Sequence, residues 1–237
     1  MNEILKYSKN KLLVIAFGNW AYKLIALNWA LHLEKLKIEN YTVICLDEKL
    51  KDFLSKKGIN SFYIGDEKKF NPKEWGARLN SVRDVLSSGI DIVHSDLDAV
   101  WLKNPLGHLE SDHDIVASTG TFPPSTQKKW GFTLCMGWMF YKSNQNVLSL
   151  FDEILKIPQP FNDQQELNNL IASKASKDDI LNLSPDIHEI KLPGLKIKVL
   201  GQNIISRGHD TNSFVCHPLT PGSADREGLF KKLGLWI

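Results

Sequence analysis

The chain has no apolar run near the roughly 18–20 residues that cross a bilayer. Its start, Met1-Asn-Glu-Ile-Leu-Lys6, lacks the apolar stretch of a secretion signal. Together these absences make a cytoplasmic setting without an integral membrane segment the expectation. No sign of charge dominates either: 29 Lys and Arg face 27 Asp and Glu, a formal +2. That balance gives no reason to expect nucleic acid or an anionic membrane as partner. Cysteine is scarce, with Cys45, Cys135 and Cys216 alone. An odd number without metal-ligand spacing argues for reduced thiols. Internal repeats, linkers and low-complexity tracts are also missing, so residues 1–237 read as one domain. Tryptophan, by contrast, is plentiful at seven residues, and some are expected to line a site.

What is present is strand–helix alternation. Leu12-Leu-Val-Ile-Ala-Phe17 reads as a buried strand ended by Gly18-Asn19. Leu24, Leu27 and Leu31 recur at helical spacing between residues 20 and 36. Tyr41–Leu46 is a second strand, Asp47 caps a helix through Leu54, and residues 60–64 form a third strand. Pro72 starts another helix with Leu79, Val82, Val85 and Leu86 as its apolar stripe and Arg78 beside it. This order predicts an α/β fold with a mostly parallel sheet and helices on both faces. Further strands are expected at 114–118 and 132–141, the latter with a close backbone approach at Gly137. Helices are expected over 147–157, from Asp163 to Ile171, and over 225–233. Residues 119–131 read as a loop, with Pro123-Pro124, and a candidate lid. Residues 173–186 read as a polar surface excursion, and short strands follow near 187–190, 197–200 and 214–216.

The stretch Asp91-Ile-Val-His-Ser-Asp-Leu-Asp-Ala-Val-Trp101 organises the rest. Residues 91–95 read as a buried strand and Asp96-Leu97-Asp98 as its exit. Side chains two apart on extended backbone share a face, so the two carboxylates point one way and Leu97 into the core. Two such carboxylates repel each other unless a positive group joins them, and a divalent cation is the natural one. An open sheet binds ligands beyond the carboxyl ends of its strands. Gly18-Asn19, Asp96/Asp98 and His217 all fall at such ends. Taken singly, each has an ordinary explanation: a hydrogen-bonded acidic pair, a structural histidine, a paired surface arginine at 78, a helix cap at Asp163-Gln164.

Taken together, the chain resembles nucleotide-sugar-dependent glycosyltransferases of the GT-A fold, especially glycosyltransferase family 77 and, more distantly, family 8. The matching stretches are Phe17-Gly-Asn-Trp20 with Leu27-Asn-Trp29, Trp75-Gly-Ala-Arg-Leu79, and His94 through Pro105. They continue with Ala117-Ser-Thr-Gly120, Trp130-Gly-Phe132, Cys135-Met-Gly-Trp138, Asp163-Gln164 with Leu167-Asn168, and His217-Pro218 with Gly234-Leu-Trp236. The resemblance implies a Rossmann-like GT-A sheet and a nucleotide-sugar donor, with uridine diphosphate as the expected carrier. It implies Mn²⁺ or Mg²⁺ on the diphosphate, held by Asp96, Asp98 and His217, with Asp96 also touching ribose or sugar. Phe17, Gly18 and Asn19 would meet the nucleoside, and Arg78 the donor sugar or phosphate. Asp163 and Gln164 would lie by the transferred sugar, and Lys231 or Lys232 by the diphosphate. Gly137 and Trp138 are expected at the substrate, and Trp130, Phe132 and Trp138 read either as stacking surfaces for a glycan or protein acceptor or as core packing beneath the loop.

Both families retain anomeric configuration. A double displacement needs a carboxylate nucleophile, and Gln164 is an amide, so front-side displacement is favoured, with Glu166 as the nearby alternative. Two rival readings use the same residues. One is a haloacid-dehalogenase-type phosphatase with Asp96 as nucleophile, Asp98 as acid/base and Asp178-Asp179 as a second acidic pair. The other is a non-catalytic protein that binds sugar nucleotides.

Overall fold

A computed structural model describes residues 2–65, 76–109, 112–158, 162–218 and 225–237. Helix α1 (Asn2–Leu5) precedes strand β1 (Leu12–Gly18), and a 3-10 turn leads into α2 (Lys23–Lys35). Then come β2 (Tyr41–Cys45), α3 (Glu48–Lys56), β3 (Ser61–Tyr63), α4 (Gly76–Leu86), β4 (Asp91–Ser95) and β5 (Val100–Trp101). The middle carries β6 (Ile115–Gly120), α5 (Pro124–Trp130), β7 (Thr133–Tyr141), α6 (Gln145–Ile154) and α7 (Asp163–Lys174). The chain continues through β8 (Ile180–Ser184), β9 (Ile187–Leu192), β10 (Leu195–Leu200), β11 (Ile205–Ser206), β12 (Val215–Cys216) and α8 (Arg226–Lys232). The helix start expected at Pro72, and Trp75, lie outside the described residues.

Nine strands form one sheet in the order β3-β2-β1-β4-β7-β6-β10-β9-β8. The alternating first part is parallel, from β3 to β4, as expected of strands joined by helices. β7 then runs antiparallel to both β4 and β6. β10 returns parallel to β6, and the β8–β9–β10 meander finishes the sheet antiparallel.

Alternation along the strands feeds two apolar layers. Leu13 and Ile15 of β1 face one layer, with the stripe of α4 and the apolar faces of α6 and α7. Val14 and Ala16 face the other, with Ile25, Trp29 and Leu33 of α2, Leu50 and Leu54 of α3, and Phe230 of α8. Strand β7 slips phase near Gly137. Leu134 and Met136 face the first layer, as do Met139 and Tyr141, while Trp138 and Phe140 face the second. Opposite this slip, the β6 partner jumps from Met139 to Cys135 between Ala117 and Ser118. A bulge of this kind re-aims the chain beside a site.

Two segments differ from the sequence expectation. Residues 124–130 within the expected loop are helical, with Pro124 at the first turn and Gly131 closing the helix at φ 88°. Proline costs nothing at that position because its missing N–H has no partner there anyway. The polar 173–186 segment contains β8, whose residues are largely exposed because it is the outermost strand.

A second sheet of three short strands, β11-β12-β5, sits beside the end of β4. β12 pairs antiparallel with β5, Cys216 opposite Val100 and Val215 opposite Trp101. Each strand is two residues long, so its pairing partner rather than its own sequence defines it. The chain end is tied down nearby: Leu235 O accepts from Asn28 Nδ2 and lies 3.0 Å from each of Asn28 Nδ2 and His32 Nε2.

Candidate active site

Strand β4 ends against the phase slip of β7, where Asp96 N donates to Gly137 O at 2.8 Å. Leu97 turns inward and is buried, which leaves Asp96 and Asp98 on the same side. The β12–β5 register, continued by one residue, puts His217 opposite Ala99 and so beside Asp98. Its Nε2 lies 3.3 Å from Asp98 Oδ1 and 3.8 Å from Asp96 Oδ2. One ligand atom from each of the three falls within 4.8 Å of the others. Residues separated by more than a hundred positions thus meet through the pairing of two dipeptide strands.

Gly137 is needed for that meeting. A Cβ there would stand 2.0 Å from His217 Cε1 and 3.1 Å from Asp96 Oδ2. Its part in the site is the space it leaves. Gly18 is similar, since its Cβ would lie 2.6 Å from the side chain of Leu97.

The cleft around these groups holds about 470 Å³ and is lined by Phe17, Gly18 and Asn19 from the end of β1, with Arg78, Asp163, Gln164 and Gly137. Arg78 is buried on α4 and pairs with Asp163, and its Nη1 is 3.4 Å from Asp96 Oδ1. Asp163 is itself buried at the start of α7, and its Oδ1 accepts from Gln164 N at 2.8 Å. Gln164 is fixed at both ends of its amide. Oε1 accepts from Met136 N at 3.1 Å, and Nε2 donates to Phe122 O at 2.8 Å.

Charge in the cleft is shifted by these neighbours. Burial alone would lower the His217 pKa, but the hydrogen bonds to Asp98 and Cys135 outweigh it and raise it to about 9. Burial likewise opposes charge on Asp98, yet the bond from His217 and the contact with Arg226 hold its carboxyl below the usual range. His94 is buried on β4 with Nδ1 2.9 Å from Met136 O. Burial first, then the nearby Arg78 charge, keeps its ring neutral.

Several expected residues lie elsewhere. Trp138 is fully buried in the second apolar layer, 6.2 Å from Trp101, because the phase slip turns it away from the cleft. Lys231 points along α8 instead, bonded to Glu227 at 2.6 Å and over the Trp236 ring. Trp130 and Phe132 line a separate cleft of about 450 Å³ with His188, Asn182 and Pro185. Phe132 is buried there and stacks on His188 at 4.1 Å. Asp179 accepts from Ser176 and so closes a turn before β8, away from the cleft at Asp96. The acidic partner that a phosphatase reading needs is not brought to Asp96.

Two arginines that the sequence did not single out stand on Asp98 and His217. Arg226, first residue of α8, donates from Nε to Asp98 Oδ2 at 3.0 Å, and its guanidinium lies over Tyr22. Arg207, just after β11, donates to His217 Nδ1. No local pattern marks either; only the small sheet and the capped start of α8 place them.

The helix-flanked sheet, with Asp96 and Asp98 at its open end, has the architecture of the GT-A fold. The chain superposes on the galactosyltransferase LgtC, solved with donor and acceptor sugar analogues, with a TM-score of 0.54. The match covers 94% of this chain and 95% of that one at 15% identity, a likeness of fold. The particular family follows from the sequence: the nucleotide-diphospho-sugar transferase profile matches residues 36–219, and the chain belongs to that family. Among curated proteins it is similar to the arabinosyltransferase XEG113 of Arabidopsis thaliana, 30% identical over 128 residues, 49% of this chain and 20% of that protein. It is also similar to the beta-arabinofuranosyltransferase RAY1 of the same plant, 24% identical over 162 residues, 62% of this chain and 30% of that protein. The chain therefore spans well under half the length of these relatives.

Proposed function

We propose that this domain transfers a sugar from a nucleoside diphosphate donor to a hydroxyl of a glycan or protein, with a divalent cation and with retention at the anomeric carbon. The observation that carries the reading is the convergence of Asp96, Asp98 and His217 in one cleft. Two carboxylates and one imidazole suit Mn²⁺ or Mg²⁺, and three protein ligands leave positions for diphosphate oxygens. Such a cation, when bound, neutralises charge that builds on the departing diphosphate. The names of the curated relatives favour arabinose as the sugar, and the family resemblance favours a uridine diphosphate carrier.

In this reading Phe17, Gly18 and Asn19 at the end of β1 receive the nucleoside, and Asp96 orients ribose or sugar. Asp163 and Gln164 flank the transferred sugar. Among the described residues lining the cleft, only Asp96, Asp98 and Asp163 carry carboxylates. The first two are the ligands. Both Asp163 oxygens are engaged, one by Arg78 and one by the Gln164 N–H. Glu166 does not line the cleft. Without a free carboxylate a double displacement lacks its nucleophile, which supports front-side displacement: the leaving diphosphate takes the acceptor proton while Gln164 braces the reacting centre.

The test is a thermal-shift screen of nucleotide sugars with and without Mn²⁺. One nucleotide sugar should stabilise the protein only with metal, and incubation with acceptor should then consume it. Stabilisation without any turnover across a broad acceptor panel would favour the binding-protein reading. A shift produced by no nucleotide sugar would defeat both.

A further inference from the structure

Among the described residues, carboxylates and guanidiniums in the cleft are equal in number. Asp96, Asp98 and Asp163 stand with Arg78, Arg207 and Arg226, and all six line the same space. Arg78 is engaged between Asp96 and Asp163. The other two arginines stand on the ligand set itself. Asp98 has both oxygens occupied, Oδ2 by Arg226 Nε at 3.0 Å and Oδ1 by His217 Nε2 at 3.3 Å. The side chains of Asp98 and Arg226 are only 16% and 17% exposed, so water screens this pair little.

Arg207 presents the same conflict at the imidazole. His217 Nε2 lies 3.3 Å from Asp98 Oδ1 and so turns its hydrogen toward the carboxylates, while Arg207 crowds Nδ1 from the far side with a group that carries only donors. A ligating imidazole has the reverse arrangement, with a bare nitrogen on the metal and an N–H on the far side. Both arginines therefore contend with a metal ion for the groups that would bind it.

Resting on the transferase reading above, we infer that Arg207 and Arg226 are exchange residues. Arg226 pairs with Asp98 and Arg207 holds the far side of His217 while the cleft is empty of donor, and both move onto the diphosphate when cation and nucleotide enter together. A lone divalent cation meets a cleft whose negative charge is already matched. A lone diphosphate meets arginines already engaged. Only the pair satisfies both sets, the cation taking the carboxylates and the diphosphate taking the guanidiniums. Metal and nucleotide should then raise each other's affinity by the same factor.

Titration calorimetry of Mn²⁺ into the whole chain, with and without uridine diphosphate, tests this. The unmodified protein should bind Mn²⁺ at least about tenfold more tightly when the nucleotide is present, the scale of one charged hydrogen bond. Arg226→Gln and, separately, Arg207→Gln should bind Mn²⁺ alone about tenfold more tightly than the unmodified protein does. Each should bind uridine diphosphate in excess Mn²⁺ about tenfold more weakly, so the coupling shrinks. Variants whose far-ultraviolet dichroism matches the parent but whose Mn²⁺ affinity is unchanged or weaker would overturn the inference. Equal Mn²⁺ affinity with and without nucleotide in the unmodified protein would do the same. Full coupling that survives in both variants would overturn it too. Absence of nucleotide binding under every condition removes the transferase reading as well.

Discussion

The two clefts are nearly equal in volume, about 470 and 450 Å³, and could hardly be held open more differently. The first is walled by ionised groups brought from α4, α7, α8 and the ends of β4, β11 and β12. Its charged side chains answer one another across the space. The second is walled by Trp130, Phe132, His188 and the β8–β9 turn, and its contacts are short-range and uncharged: Phe132 stacks on His188, and His188 Nδ1 meets Asn182 at 2.7 Å. Burying ions costs several kcal/mol each before they pair. A fold that places six of them in one cleft accepts that cost where chemistry requires charge. The aromatic cleft carries no such burden, and its residues read as packing at the edge of the sheet.

The comparison can be broken at its strongest point first. Arg78→Met removes one partner from a buried charged set and leaves Asp163 facing no guanidinium. Urea unfolding should show a loss of about 3–5 kcal/mol. A loss under about 1 kcal/mol would mean that the charges are hydrated in solution and the contrast between clefts is false. Gly137→Ala comes next. The new methyl must displace His217, so turnover and metal-dependent nucleotide binding should fall on the order of 100-fold. Binding that survives would show that the imidazole is dispensable.

A smaller effect is expected from pH. With its pKa raised from 6.5 to about 9, His217 stabilises the metal-free fold fully below pH 6.5. That stabilisation is lost as the pH rises through about 9. Unfolding midpoints measured in chelator from pH 6 to 10 should therefore decline, and His217→Gln should flatten the decline. Smallest of all, His188→Ala should leave metal-dependent nucleotide binding unchanged and cost about 1 kcal/mol of stability. A clear loss of nucleotide affinity in that variant would make the aromatic cleft part of the same site.

How legible each part was in the sequence follows from the range of the forces that make it. β1, β2 and β4 are runs of buried β-branched and aliphatic residues, and their limits were readable within a residue or two. The stripe of Leu79, Val82, Val85 and Leu86 was readable for the same reason, and all four are buried. The helix at 124–130 was hidden by Pro123-Pro124, a pair that marks loops yet also suits the first turn of a helix. β8 was hidden because its five residues sit between polar flanks, Ser173–Asp179 before and Pro185-Asp186 after, and an edge strand pairs with one neighbour only. Within the cleft, Asp96 and Asp98 announced themselves by spacing. Trp138 did not announce its orientation, because alternation counted from Phe132 is reversed by the slip at Gly137. Arg207 and Arg226 carry no signature at all. Their positions depend on pairings such as Cys216 with Val100, which no window of sequence contains.

That pairing also orders events in time. A ribosome completes the two acids long before it reaches the imidazole, and the ribbon of dipeptide strands cannot zip until both ends of the span have emerged. All nine strands of the large sheet precede the imidazole, so the sheet is complete in sequence before His217 can join the acids. A nascent chain that stops short of residue 217 therefore carries the two acids without the imidazole, and the cleft closes only once β12 has paired with β5.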